Sequence, residues 1–181
     1  LNEAVNRLKF DEHFFLQLLM AVRKSSIQQT GTKALIKIGP QVKLISDSLD
    51  FELTSAQKKV IKEIKDDMAR PFSMNRLLQG DVGSGKTLVA ALAAITAIGE
   101  GYQVALMAPT EILAEQHAIN FQQWFEPLDI TVGWLAGKTK AKARRHALEH
   151  IENGNMQMVV GTHALFQEQV KFNKLALIII D

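Results

Sequence analysis

Apolar side chains recur at three- and four-residue intervals at the start of this chain: Val5, Leu8, Phe14, Phe15, Leu18, Leu19 and Val22. That recurrence follows the turn of an α-helix and predicts one over Leu1 to Lys24. Residues 25–40 lose the period, carry Gly31, Gly39 and Pro40, and read as a linker, with a short helix expected before Phe51. From Leu53 the pattern turns regular. It predicts helices over 55–68, 86–98, 112–125 and 139–152, and strands over 76–78, 103–107, 130–135, 156–160 and 175–180. Val104–Met107 and Leu177–Ile180 are unbroken apolar runs, which suits a parallel sheet covered on both faces. Alternating strand and helix predicts an open α/β fold whose ligand sits at the carboxyl ends of the strands.

Composition narrows the classes. The 181 residues are 47% hydrophobic, enough for one domain with a real core. Cysteine is absent, which removes disulfides and thiolate metal sites and fits a reducing cytosol. The longest apolar runs, Leu88–Ile98 and Leu175–Ile180, are too short to span a bilayer. No secretory leader is visible in the polar, mixed-charge segment from Asn2 to Arg7. A net charge of +2 is too small to argue for nucleic acid by itself. Because it opens on Leu1 and closes on Asp181 straight after an apolar run, the chain reads as a piece of something longer.

The densest chemistry lies in Gly80-Asp81-Val82-Gly83-Ser84-Gly85-Lys86-Thr87, a complete G-x-x-x-x-G-K-[ST] phosphate loop. Apolar residues Met74, Leu77 and Leu78 precede it and an alanine-rich helical run follows it. A strand passing through a glycine turn into a helix aims backbone N–H groups and the helix's positive end at a polyphosphate. Lys86 is expected on the β and γ phosphates and Thr87 on Mg2+. The loop predicts binding of a nucleoside triphosphate.

Four further segments admit two readings each. Thr54 and Gln57 form a capping box at the start of a helix, and the Gln57 amide can also read an adenine edge by donating and accepting together. Pro109 and Thr110 end a strand and cap a helix, yet a hydroxyl and backbone amides there can hold a nucleic-acid phosphate. Gly137-Lys138 and Thr162-His163 close two more strands, either as plain turns or as further phosphate contacts on the same sheet edge. Lys138, Lys140, Lys142, Arg144 and Arg145 form a basic cluster that reads first as a solvated helix face. Within it, Lys138 is the candidate for phosphate.

In order and spacing these segments resemble superfamily 2 helicases: a glutamine motif, a phosphate loop, Ala108-Pro109-Thr110, Ala136-Gly137 and a Thr-His segment. The wording of Gly80–Thr87, Ala105–Glu111, Gly161-Thr162-His163-Ala164 and Phe166-Gln167-Glu168-Gln169-Val170 looks like the RecG family of bacterial ATP-dependent DNA helicases. The likeness is strong from about Phe51 to Asp181. The Mfd and PriA translocases share parts of these motifs, and a P-loop kinase or a non-catalytic binding lobe is the rival from another class.

The resemblance implies a RecA-like P-loop lobe over residues 51–181, with residues 1–50 as a helical link to a wedge domain. It implies ATP and Mg2+ as cofactors, Asp181 beside Thr87 at the metal, and Lys86 and Asp181 as catalytic residues. It further implies remodelling of branched or double-stranded DNA at stalled forks and Holliday junctions. The implied protein works as a monomer, with a second lobe on the same chain, in the bacterial cytoplasm at the nucleoid, with no membrane contact. The glutamate after Asp181 and the second lobe's arginines belong to that family's catalysis, so the expectation for these residues alone is nucleotide binding at most.

Overall fold

The computed structural model describes residues 2–29, 31–35, 52–135, 137 and 141–181. The expected short helix before Phe51 lies outside them, as do Lys138 and Lys140. The helices are α1 (Asn2–Gln29), α2 (Ser55–Met68), α3 (Lys86–Gly99), α4 (Glu111–Phe125) and α5 (Ala141–Glu152). The strands are β1 (Gln103–Met107), β2 (Val132–Leu135), β3 (Met158–Gly161) and β4 (Leu175–Ile180). All strand pairs are parallel, in the order β2-β3-β1-β4.

Side-chain alternation divides the core into two layers, because successive residues of a strand point to opposite faces. Val104 and Leu106 of β1 and Met158 and Val160 of β3 meet Leu92 and Ile95 of α3 and Phe121 and Phe125 of α4. On the other face Ala105 and Val159 meet Ala147 and Ile151 of α5 and Leu165 of a short 3-10 turn, His163–Phe166. Helix α3 is apolar almost all round, as befits a helix held between the sheet and α2. Helix α2 is the amphipathic outer layer, burying Ile64 and Met68.

Three expectations change. The first helix runs five residues beyond Lys24, to Gln29, so part of the expected linker is helical. Its periodic side chains Leu8, Phe15 and Val22 are exposed.

The segment predicted as a strand at 76–78 joins no ladder among the described residues. A strand needs a neighbour about 4.8 Å away. Here a cavity of about 360 Å³ separates Met74 and Leu78 from Leu177 and Ile179 of β4. The segment is tied instead to α2. Arg76 Nε and Nη2 donate to Asp67 Oδ2 at 2.9 and 2.6 Å, and Nη1 donates to Glu63 Oε2 at 2.8 Å. The bond to Asp67, with Glu63 behind it, holds the guanidinium above its usual range.

The third change concerns β4, whose apolar run is not covered on both faces. Leu177 is buried, whereas Ile178 and Ile180 are 52% and 65% exposed. Among the described residues β4 stands at the end of the sheet order and pairs with β1.

Candidate nucleotide site and nucleic-acid interface

The phosphate loop is a turn closed on itself and handed directly to α3. Ser84 N–H donates to Asp81 O at 3.1 Å, and Gly83 and Gly85 take φ of +81° and +80°, a region open to glycine at little cost. Gly85 is the N-cap of α3, so the free N–H groups of its first turn, with the helix dipole behind them, open onto the loop. Lys86 folds back over the loop, its Nζ donating to Gly80 O and Asp81 O, each at 2.8 Å. Val82 at the tip is fully exposed.

Gln57 touches this loop, which the sequence reading did not anticipate. The capping box is present: Gln57 N–H donates to Thr54 Oγ1 at 3.2 Å and Thr54 N–H to Gln57 Oε1 at 2.9 Å. The other end of the amide, Nε2, donates to Ser84 O at 2.9 Å. A Cβ placed on Gly85 would collide with that Nε2. The positive φ is what favours glycine there, since the Gln57 amide ends a flexible side chain that can shift.

Asp181 arrives from the far side of the same cavity. Its backbone N–H donates to Met107 O at 2.9 Å, fixing it at the carboxyl end of β1. Its carboxylate Oδ2 lies 2.9 Å from His117 Nε2 of α4. Lys86, Thr87, His117 and Asp181 all line the cavity. Sequence reasoning missed His117. The available signal was a polar residue on the buried stripe of α4, three residues after Ala114 and four before Phe121. No group of three or more His, Cys, Asp or Glu side chains gathers into a metal cage among the described residues. One carboxylate and one hydroxyl fit Mg2+, which binds through one or two carboxylates and its substrate's phosphates.

The segments read as phosphate contacts leave the sheet together. Met107 of β1 and Leu135 of β2 both stand opposite Gly161 of β3, and Ala108 N–H donates to Gly161 O at 2.9 Å. Pro109 and Thr110, Gly137, and Thr162 and His163 follow these three strands directly.

Thr110 caps α4 by accepting from Leu113 N–H at 3.3 Å. A Cβ on Gly137 would lie 3.4 Å from Glu111 Oε1, so those two segments are neighbours. Thr162 is only 3% exposed, which withdraws its hydroxyl from the surface. His163 is the exposed member of that pair. In the basic cluster, Arg144 Nη2 donates to Gln167 Oε1 at 2.6 Å, linking α5 to the segment after β3. No helix among the described residues is long and apolar enough to cross a membrane.

Known proteins resemble this chain in sequence and fold. The DEAD/DEAH box helicase family model covers residues 54–181. The ATP-dependent DNA helicase RecG of Haemophilus influenzae is 55% identical over 98% of this chain and 26% of its own length. RecG of Bacillus subtilis is 48% identical over 98% of this chain and 26% of its own. The solved structure of RecG bound to a three-way DNA junction superposes with a TM-score of 0.89 at 41% identity, over 96% of this chain and 24% of that one. The chain spans about a quarter of the length of these relatives.

Proposed function

We propose, for a chain that belongs to the DEAD/DEAH box helicase family, that it forms the nucleotide-binding lobe of an ATP-driven motor acting on branched or double-stranded DNA. One observation carries this reading: the phosphate loop's Lys86 and Thr87 and the strand-end Asp181 line one cavity, which runs along β4 to the carboxyl end of the strand. Residues 51–181 act as the first RecA-like lobe, and residues 1–50 lead to it from a preceding domain.

The loop's N–H groups and the N-terminus of α3 bind the triphosphate. Lys86 moves from the carbonyls of Gly80 and Asp81 onto the β and γ phosphate oxygens. Such an exchange preserves hydrogen bonds and gains charge, since an ammonium bonds more strongly to an anionic oxygen than to a neutral carbonyl. Gln57 reads the adenine edge and, through Ser84 O, is in contact with the loop that holds the phosphates. Thr87 and Asp181 would hold Mg2+, which when bound offsets charge developing on the transferred phosphoryl group. The likeness to RecG bound to a three-way junction supports branched DNA as the track. The edge formed by Pro109, Thr110, Gly137 and His163 then contacts backbone phosphate, independently of sequence and with strong salt dependence. The setting this reading implies is the bacterial cytoplasm.

Lys86→Ala in the whole protein tests the assignment. It should abolish ATP hydrolysis while leaving the circular dichroism spectrum and melting temperature unchanged, because Lys86 bonds the loop and not the core. Near-normal turnover by the folded variant would exclude this site as the seat of hydrolysis.

A further inference from the structure

His117 is a polar side chain on the buried stripe of α4, and nothing in the phosphate-loop chemistry accounts for it. Its side chain is 12% exposed, against 48% for Asp181. Nε2 lies 2.9 Å from Asp181 Oδ2, while Nδ1 is buried and has no hydrogen-bond partner among the described residues. The tautomer with its hydrogen on Nε2 suits both facts. It donates to the carboxylate and leaves Nδ1 as a bare lone pair, not a donor without an acceptor. The ring is walled by Phe121 one turn on, with centroids 6.5 Å apart, and Phe121 is fully buried. The imidazole is thus a rigid arm projecting from the core to the end of β4.

We propose that His117 is a positioning residue for the Asp181 carboxylate, holding it in the orientation that receives Mg2+. The backbone of Asp181 is pinned to β1 through Met107 O. Its side chain is free to turn about two single bonds unless something holds it, and the hydrogen bond at its carboxylate comes from His117. A hydrogen bond from His117 to Oδ2 removes that freedom and leaves Oδ1 to face the water shell of a cation beside Thr87. Partners behind a metal-binding carboxylate act in this way elsewhere, and their loss costs roughly 10–100-fold in metal affinity. The proposal also gives α4 a second link to the nucleotide. Thr110, at the start of that helix, lies on the edge assigned to DNA, and His117 two turns later touches the residue assigned to Mg2+.

This inference rests on Asp181 being the Mg2+ residue, and its test separates the two ideas. In the whole protein, binding of a fluorescent non-hydrolysable ATP analogue is titrated with Mg2+ for the parent and for His117→Gln, His117→Asn and Asp181→Asn. The Gln amide nitrogen reaches the place of Nε2, whereas the Asn amide nitrogen falls at the place of Nδ1.

The Mg2+ midpoint should rise about tenfold for His117→Asn and stay within about twofold of the parent for His117→Gln. A purely structural role predicts instead that both variants lower the melting temperature and leave the Mg2+ midpoint where it was. That result, or equal impairment of the Mg2+ midpoint by Gln and Asn, would overturn the positioning role. An Asp181→Asn variant with the parent's Mg2+ midpoint would overturn the metal assignment itself, and with it this inference. A raised midpoint for Asp181→Asn beside an unaltered one for His117→Asn would overturn the inference alone.

Discussion

Replacing Gln103 by methionine should destabilise the fold substantially while leaving nucleotide binding intact. Gln103 opens β1 and is 3% exposed. Its amide makes four hydrogen bonds to backbone. Nε2 donates to Ile151 O at 2.9 Å and to Met156 O at 2.8 Å, and Oε1 accepts from Asn173 N–H at 2.8 Å and Lys174 N–H at 3.1 Å. One side chain therefore ties the end of α5, the approach to β3 and the approach to β4 to the start of β1. Methionine has nearly the same length and volume, so little cavity term arises, and the loss is polar.

Ile151 O retains Gly154 N–H at 3.1 Å and is not orphaned. The other three partners are only partly buried, so water reaches them in part. At about 0.5–1.5 kcal/mol for each of the four bonds lost, the sum is about 2–6 kcal/mol, and access of water to three of the partners places it toward the lower end, at about 3 kcal/mol. For a chain of this size that is a fall of about 6–12 °C in melting temperature. Thermal melting reads the total, and amide hydrogen exchange at Asn173 and Lys174 reads it locally. Gln103 lies at the opposite end of β1 from Asp181 and the phosphate loop, so affinity for nucleotide should stay within about twofold at temperatures where both proteins are folded. A fall of less than about 2 °C, with unchanged exchange at those two amides, would refute the claim that this amide carries the junction.

Two further predictions concern ligand recognition. Gln57→Ala should weaken ATP binding and reduce its preference over GTP beyond the effect of losing one cap, which is about 1 kcal/mol of stability. If GTP competes with ATP equally well in the parent protein, Gln57 has no part in reading adenine. Thr110→Asp keeps a good N-cap for α4 but sets a negative charge on the edge assigned to DNA. Its melting temperature should match the parent's while DNA affinity drops about tenfold or more at low salt. Unchanged affinity would remove Thr110 from the interface.

Several elements were legible in the residues themselves because short-range rules decide them. The predicted helix over 55–68 and the strands at 103–107 and 175–180 coincide with the observed elements. Thr54 and Gln57 fix the start of one and Gly101 breaks the chain before another, while an unbroken apolar run marks the third. The phosphate loop is equally local, since its glycines, lysine and threonine are contiguous and its turn needs no distant partner. The neighbouring segment at 76–78 shows where such rules stop. Its apolar residues match a strand, but a strand exists only when a second one lies within hydrogen-bonding distance, and there the cavity intervenes.

Helix α1 repeats that lesson in another form. Periodicity names the helix, yet Leu8, Phe15 and Val22 lie exposed, because periodicity states which face seeks burial and not what buries it. The contacts between distant residues were invisible for the same reason. His117 and Asp181 are separated by 64 positions and Gln57 and Ser84 by 27, and no local pattern encodes either pair. The sequence by itself determined the phosphate loop, a contiguous segment whose geometry is set by its own φ angles. Tertiary structure alone decided which side chains stand around that loop, because a parallel sheet brings strand ends together from residues scattered along the chain.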